Sequence, residues 1–150
     1  MTIQIDAPTT ADKADWQSLY RGYATFYKMP MSEQTLYTVW SWIHDESNPF
    51  WCRLARKSDG KPIGFMHFRE MPSPLRGCQM GFLDDLFVDP DARGLGAVSA
   101  LFDDLTEHAR TQGWPSVRWI TADDNYRARA VYDRLSHKTQ WNTYQLDINT

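Results

Sequence analysis

The pattern of apolar and polar positions predicts a series of strands and helices. Residues 2–7 alternate between apolar and polar and predict a short strand, whereas apolar residues at helical spacing predict a helix over about 11–27. A second helix follows Ser32, which is a suitable N-cap. Asp59-Gly60, a dipeptide typical of hairpins, then joins two strand-like runs, and a third strand is predicted over 78–88.

The second half of the chain alternates between helix and strand patterns. A helix opens after Gly96, a strand is predicted over 116–122, a helix starts near Asn125, and the pattern over 141–148 predicts a closing strand. The predicted order is therefore β-α-α-β-β-β-α-β-α-β. A hairpin section followed by two strand–helix–strand connections is typical of a mixed α/β fold, and the 150 residues fit one domain spanning 1–150.

Composition and charge argue against several classes of partner. The net charge is −3 and no basic stripe is present, which disfavours nucleic acid. No apolar run approaches the roughly 20 residues that span a bilayer, and residues 1–10 lack the pattern of a signal peptide, so we expect a cytoplasmic protein without membrane contact. The four histidines are scattered and are interpreted as surface or packing residues, so no metal site is predicted.

A glycine-containing turn lies where the strand over 78–88 passes into the next helix. The N–H groups of a first helical turn lack partners and the helix dipole is positive there, so a phosphate fits such a position. Gly94 and Gly96 allow a close approach of the backbone, and Arg93 adds a permanent cation with a planar fork of donors. The turn therefore predicts an anion site, and the alternative is a turn that only caps the helix.

The spacing of this turn excludes two common phosphate-binding motifs. A P-loop requires Lys and then Ser or Thr after its last glycine, but Ala97 and Val98 follow Gly96. A dinucleotide fingerprint requires a third glycine three positions further on, where this chain has Ser99. A nucleotide-binding module is therefore disfavoured.

The stretch LFVDPDARGLGAVSAL resembles the acyl-CoA motif of the GNAT superfamily of N-acetyltransferases, and NYRARAVY is similar to a second motif of that family. The matching positions are Val88, Pro90, Arg93, Gly94, Gly96, Asn125, Ala128 and Tyr132. The order of elements also agrees, so the resemblance covers nearly the whole chain. It implies the GNAT fold, a central mixed twisted sheet flanked by helices. FLDDLFV resembles the diamine (spermidine/spermine) and thialysine acetyltransferase branch.

This resemblance implies an acetyl-CoA-dependent N-acetyltransferase. The acetyl group passes to a primary amine of a small molecule (a polyamine, an amino-acid-like or another cationic amine) by direct attack in a ternary complex, without a metal. The strand before the turn is expected to pair with the pantetheine arm, and the turn is expected to bind the pyrophosphate. The implied cofactor-binding residues are Leu86, Phe87, Val88, Arg93, Gly94, Leu95, Gly96, Ala97, Val98, Ser99 and Asn125.

The reaction needs a proton acceptor, because an alkyl amine with a pKa of about 10 is protonated at neutral pH. Asp84 and Asp85 are adjacent on a predicted strand, so their side chains are expected on opposite faces. Asp84 aligns with a glutamate of the diamine branch, which implies a base or an amine anchor; the alternative is two ordinary strand-end carboxylates. Tyr132 resembles the family's general acid for the leaving thiolate, and the alternative is a core aromatic residue.

The resemblance assigns substrate selection to the first two helices and nearby loops. The candidate contacts with a cationic amine are Tyr23, Tyr27, Glu33 and Asp85, with further aromatic candidates at Tyr20, Trp40 and Trp51. The alternative is that these aromatic residues belong to the core. The diamine branch also implies a homodimer, with Trp141 and Tyr144 as candidates for its interface.

Two other functions stay open on the sequence. A protein lysine or N-terminal acetyltransferase would need an open groove, which a sequence does not define. A non-catalytic acyl-CoA-binding module is favoured by Val98, which stands where the family usually has Gly or Ala, and is disfavoured by Tyr132 together with Asp84.

Overall fold

The structure is a computed structural model that describes residues 2–149 of the 150-residue chain. The chain divides into two compact units, Met1–Trp119 and Ile120–Thr150. The described part of the first unit contains a five-stranded sheet and three α-helices, and that of the second contains one α-helix.

The sheet of the first unit is mixed. Its strands are β1 (Gln4–Asp6), β2 (Phe50–Arg56), β3 (Pro62–Ser73), β4 (Cys78–Val88) and β5 (Val117–Arg118). They lie side by side in chain order; the first four pair antiparallel, and β5 pairs parallel to β4. The sheet and its flanking helices confirm the predicted mixed α/β fold. Gly60, in the predicted hairpin turn between β2 and β3, has a φ of 88°.

Three helices flank the sheet: α1 (Lys13–Phe26), α2 (Glu33–Ile43) and α3 (Ala97–Gln112). The predicted N-cap of α2 is confirmed, because the Ser32 hydroxyl accepts a hydrogen bond of 3.0 Å from the Thr35 amide. The longest helix of the described residues has 16 residues, and none of them carries the apolar length that a membrane crossing requires.

The strands present two different faces because neighbouring side chains point in opposite directions. The face under α1 and α2 has a core of Trp16, Leu19, Leu36, Val39, Cys52, Leu54 and Phe65. On the other face, Arg53 pairs with Asp104 of α3, and the Trp51 ring stacks on Phe68 with centroids 5.5 Å apart. Trp51 therefore lies on the α3 face, away from the aromatic residues of α1 with which it was grouped.

The strand predicted over 116–122 is wrong beyond Arg118. Ladder pairing between β4 and β5 is restricted to Gly81 with Val117 and Phe82 with Arg118. The next residue, Trp119, packs its ring against Phe102 of α3, with centroids 5.3 Å apart. From residue 83 to residue 88, β4 consequently has β3 as its strand partner among the described residues, and no strand of the described residues pairs with its other edge.

The second unit contains α4 (Tyr126–Leu135). The closing strand predicted over 141–148 is not formed, since this segment joins no ladder of the described residues. A strand requires a neighbouring backbone for its hydrogen bonds, so an alternating pattern without a partner does not produce one. The apolar side chains of the segment, at Trp141, Tyr144, Leu146 and Ile148, are instead 72%, 91%, 85% and 76% exposed.

Candidate active site

The glycine turn has the open backbone that its sequence predicts. Gly94 and Gly96 adopt φ values of 84° and 85°, and apart from the adjacent residues of the chain no described atom lies within 4 Å of a Cβ built on either glycine. The 3-10 turn before them starts with Pro90, and the Asp89 carboxylate accepts a hydrogen bond of 3.0 Å from the Asp91 amide. Nothing in the turn itself therefore obstructs a ligand above the two glycines.

The first turn of α3 offers donors to an anion. α3 begins directly after Gly96, which has no side chain with which to cap the first amides. Ala97 is buried, Val98 is half-buried, and Ser99 and Arg93 are exposed. The dipole of a 16-residue helix adds positive potential at this end. These features suit a negatively charged group such as a phosphate.

The end of β4 before the turn, Leu86 to Val88, has no strand partner on the edge opposite β3 among the described residues. The Phe87 ring packs with Tyr23 and Phe65, at 6.4 Å between centroids in each case. Gly22 of α1 permits this packing, because a Cβ on Gly22 would lie 3.0 Å from the Phe87 ring. Because the Phe87 side chain packs in the core, the part of this strand left for a ligand is its backbone, on the edge opposite β3.

A β-bulge in β4 brings two carboxylates to the same face of the sheet. His67 of β3 pairs with Asp85 and Phe68 pairs with Leu83, so Asp84 is the extra residue. Asp85 Oδ2 lies 2.8 Å from His67 Nδ1, and Asp84 Oδ2 lies 3.3 Å from Arg69 Nε. His67 and Arg69 alternate on β3 and share a face. The prediction that the side chains of Asp84 and Asp85 point to opposite faces is therefore wrong, because the bulge at Asp84 interrupts the regular alternation of the strand.

Asp84 has a perturbed proton affinity. Burial raises its pKa, the Arg69 guanidinium opposes this effect, the neighbouring Asp85 carboxylate adds to it, and the resulting pKa is about 6. Asp84 Oδ2 is shielded from solvent and accepts no well-aligned hydrogen bond from the described residues. A carboxyl group of this pKa can exchange a proton near neutral pH.

Hydrogen-bond donors around Asp85 stabilise its ionised form. Its Oδ2 accepts hydrogen bonds from His67 Nδ1 at 2.8 Å and from the Tyr20 hydroxyl at 3.1 Å, and Tyr23 contributes a further favourable interaction. Burial alone would raise the pKa of Asp85, but the hydrogen bonds from His67 and from the two tyrosines lower it below its usual value. The two adjacent aspartates therefore differ in proton affinity.

α1 lines this face with tyrosines. Tyr20 and Tyr23 lie 5.8 Å apart between centroids, and Tyr27 follows at 4.8 Å from Tyr23. Burial, and after it the Asp85 charge, raises the pKa of Tyr20 and of Tyr23, so both stay protonated and act as donors. Glu33 is not brought to the aspartates, because it forms an ion pair with Arg21 at the surface.

The second unit contains Asn125 and Tyr132, on α4. Asn125 occupies the N-cap position, and its Nδ2 donates a hydrogen bond of 3.1 Å to Thr121 Oγ1. Seven residues correspond to about two helical turns, so Asn125 and Tyr132 lie on one side of the helix. Tyr132 is half-buried, and its carbonyl accepts a hydrogen bond of 2.9 Å from the Ser136 amide.

Three residues of this region were not identified from the sequence: Trp16, His67 and Arg69. His67 is fully buried and is hydrogen-bonded at both ring nitrogens. Its position gave a usable indication, because it follows Phe65 at strand spacing in an apolar run, and a buried polar group requires partners. Within residues 2–149, no three His, Cys, Asp or Glu side chains gather into a potential metal site.

Residues 16–136 match the profile of a family described as "Acetyltransferase (GNAT) family". The D-amino-acid N-acetyltransferase HPA3 of Saccharomyces cerevisiae is 28% identical over 138 residues, which are 91% of this chain and 86% of that protein.

Solved structures share the fold. The ribosomal-protein-alanine N-acetyltransferase from Brucella melitensis biovar Abortus 2308 has a TM-score of 0.83 and 24% identity, covering 98% of this chain and 100% of that one. AAC(6')-Iy in complex with the bisubstrate analog CoA-S-monomethyl-acetylneamine has a TM-score of 0.84 and 16% identity, covering 100% of both chains. At these identities the likeness is one of fold.

Proposed function

Since this chain belongs to the acetyltransferase (GNAT) family, whose members transfer acetyl groups from acetyl-CoA, we propose that it acetylates the primary amine of a small molecule. The transfer is a direct attack within a ternary complex, in one catalytic domain spanning 1–150. The observation that supports this chemistry most strongly is the carboxylate pair at the bulge of β4, in which Asp84 has a pKa of about 6 beside the ionised Asp85.

Asp84 is the proposed base. An alkyl ammonium with a pKa of about 10 must lose a proton before its nitrogen can attack. A carboxyl group with a pKa of about 6 is mostly ionised at pH 7, and because this pKa lies near the working pH the group can accept that proton, directly or through water. The free amine then attacks the thioester carbonyl, so that a C–N bond forms and the C–S bond breaks.

Tyr132 is the proposed acid. An ordinary phenol has a pKa of about 10 and is protonated at pH 7, so it can donate a proton to the leaving thiolate. The nitrogen loses its second proton as the amide forms, and this proton restores Tyr132 through solvent. The proton on Asp84 returns to solvent, and the net reaction of an ammonium releases one proton.

Two parts of the first unit are proposed to bind the cofactor. On the edge of β4 opposite β3, the lack of a strand partner among the described residues supports pairing of the pantetheine arm with the backbone of Leu86, Phe87 and Val88. The uncapped first turn of α3 supports binding of the pyrophosphate by Arg93, Gly94, Leu95, Gly96, Ala97, Val98 and Ser99. Asn125 is the proposed contact from α4. The half-buried position of Val98 is compatible with this role.

Arg69 narrows the choice of acceptor. Its side chain is 49% exposed beside Asp84, and its guanidinium lies 4.8 Å from the centre of the Phe82 ring. A polyamine would bring additional cations near Arg69. An amine with a nearby carboxylate would complement Asp84 and Arg69 together. We therefore favour an amino-acid-like acceptor, with Tyr23, Tyr27 and Asp85 lining its site, and the substrate in the name of the HPA3 relative agrees with this choice.

We also propose a cytoplasmic homodimer. The support is the segment over 141–148, in which Tyr144, Leu146 and Ile148 alternate with polar residues and are exposed. A second copy could cover these side chains. Sedimentation equilibrium of the wild type should give twice the mass of one chain, and a Leu146→Ser, Ile148→Ser variant should sediment as a monomer. A monomeric wild type would contradict this proposal.

Calorimetry with acetyl-CoA tests the cofactor site. Gly96→Glu places a negative charge at the N-terminus of α3 and should abolish binding, because the charge repels the pyrophosphate. Gly77→Glu is the matched control: Gly77 is also an exposed glycine with a positive φ and open space around it, but it lies in the β3–β4 turn. Equal affinity of both variants and the wild type would contradict the proposed pyrophosphate site.

Thiol release from acetyl-CoA with a panel of amines tests the transfer. An amino acid should be a better acceptor than the amine obtained by its decarboxylation, and Tyr132→Phe should slow transfer without weakening acetyl-CoA binding. A wild type that binds acetyl-CoA and shows no amine-dependent thiol release would support the non-catalytic acyl-CoA-binding module instead.

A further inference from the structure

A buried chain of hydrogen bonds runs from α1 through β3 to the carboxylate pair. The Trp16 indole Nε1 lies 3.0 Å from His67 Nε2, and His67 Nδ1 lies 2.8 Å from Asp85 Oδ2. Trp16 and His67 are both 0% exposed. We propose that Trp16 and His67 are positioning residues that keep Asp85 ionised and fixed beside Asp84. This inference rests on the proposed role of Asp84 as the base.

The partners of His67 determine its tautomer. An indole N–H can only donate, so His67 Nε2 must accept and therefore carries no proton. The ring proton then lies on Nδ1, from which His67 donates to the Asp85 carboxylate. A second proton on the ring would set an N–H of His67 against the N–H of Trp16. The indole of Trp16 thus keeps His67 neutral in a fully buried position, even beside a carboxylate.

The neutrality of His67 matters for the charge of the site. If the imidazole were protonated, it would cancel the charge of Asp85, and the pair would have no net effect on a neighbour. Because Trp16 opposes that state, Asp85 keeps its full negative charge. Asp84 is adjacent in sequence and lies on the same face, so this charge favours the protonated form of Asp84. Trp16 thereby influences the base without touching it.

Several other groups face the carboxylate pair. α1 contributes Tyr20 and Tyr23, which stay neutral and donate toward Asp85. β3 contributes Arg69, which opposes the effect of Asp85 on Asp84. β2 contributes Cys52, a thiol whose burial raises its pKa so that it carries no charge at neutral pH. Asp85 is therefore the group in this set whose charge favours a proton on Asp84.

Two NMR measurements test the inference on the 150-residue chain. Long-range ¹H–¹⁵N spectra of the wild type at neutral pH should show His67 with its proton on Nδ1. A ¹³C titration of the aspartate carboxyl groups, with Asp84→Asn used for assignment, should give the midpoint of Asp84. A wild-type His67 that carries its proton on Nε2 would overturn the proposal without any variant.

Three variants complete the test. Asp85→Asn removes the charge and should lower the Asp84 midpoint by roughly one pH unit. Trp16→Phe removes the indole N–H, allows His67 to bind a second proton, and should shift the Asp84 midpoint in the same direction. Trp51→Phe is the matched control, since its ring packs on the α3 face and should leave the midpoint unchanged. An unchanged midpoint in a folded Asp85→Asn protein would overturn the proposal.

On the acidic side of the pH profile of kcat/KM, the midpoint should shift by the same amount as the NMR midpoint of Asp84 in each variant. This joint shift separates a positioning role from loss of packing, because loss of packing would lower kcat/KM without changing the acidic midpoint of its pH profile. The tautomer and the midpoints are measured without substrate, so they test the hydrogen-bond chain even if no amine is acetylated. Absence of transfer with the expected NMR results would contradict the proposed function alone.

Discussion

Removal of the Arg69 charge should shift the pH dependence of the enzyme upward. Arg69 Nε lies 3.3 Å from Asp84 Oδ2, and the guanidinium opposes the burial that raises the pKa of Asp84 to about 6. Two unit charges at this distance interact by about 1.3 kcal/mol in water and by about 5 kcal/mol at an effective dielectric constant of 20. Because the Arg69 side chain is 49% exposed, the lower figure applies, and it corresponds to about one pH unit.

In Arg69→Gln, Asp84 should therefore titrate with a midpoint of about 7. If only the ionised carboxylate acts as the base, kcat/KM at pH 6 should fall about fivefold, at pH 7 about twofold, and above pH 9 hardly at all. The assay is amine-dependent thiol release from acetyl-CoA between pH 5 and pH 9. The acceptor should be an amine without a carboxylate, so that loss of the proposed carboxylate contact does not contribute.

Arg53→Gln is the matched control, because Arg53 Nε lies at the same 3.3 Å from Asp104 Oδ2, on the face toward α3. Its profile should keep the wild-type midpoint. An Arg69→Gln profile with an unchanged or lower midpoint would refute the assignment of the acidic limb to Asp84.

Three further predictions concern stability. Lys28 has a φ of 56° just after α1, a left-handed conformation that strains a residue with a side chain. Lys28→Gly should therefore raise the free energy of unfolding in urea by about 0.5–1 kcal/mol, and a decrease would contradict backbone strain at Lys28. Arg56 forks onto Asp12 with bonds of 3.0 and 2.8 Å, so Arg56→Lys should cost about 1–3 kcal/mol near pH 7. The hydrogen bond from Arg56 lowers the pKa of Asp12 in the folded protein. The stabilisation by this pair is therefore complete above the pKa that Asp12 has in the unfolded chain, and it is lost as the pH falls through the pKa in the folded protein. The free energies of unfolding of the wild type and the variant should consequently become equal in acid. A Cβ on Gly81 would lie 2.6 Å from the Trp114 ring, so Gly81→Ala should lower the thermal midpoint at a cost of about 1–3 kcal/mol, and an unchanged midpoint would show that the ring moves freely.

The elements that the sequence predicts well are those with local causes. Helix α1 was expected over about 11–27 and spans Lys13–Phe26, because its apolar spacing and its ends are properties of neighbouring residues. The glycine turn is of the same kind. Positive φ at Gly94 and Gly96 and an uncapped helix start follow from the residue types at those positions.

The features that the sequence does not predict depend on distant partners. The segment over 141–148 alternates as a strand does, but pairing depends on a neighbour that its own residues do not specify. The bulge at Asp84 results from the register between β3 and β4, which strand alternation assumes to be regular. The role of His67 depends on Trp16, 51 residues earlier in the chain. Each of these follows from tertiary contacts.

The most direct test of the central claim compares wild type with Asp84→Asn in amine-dependent thiol release from acetyl-CoA across pH 5 to 9. The wild type should release thiol with an acidic midpoint near the Asp84 pKa of about 6. Asp84→Asn should bind acetyl-CoA equally well and transfer the acetyl group about 100-fold or more slowly, without that midpoint. Equal rates and the same midpoint in both proteins would contradict the assignment of Asp84 as the base.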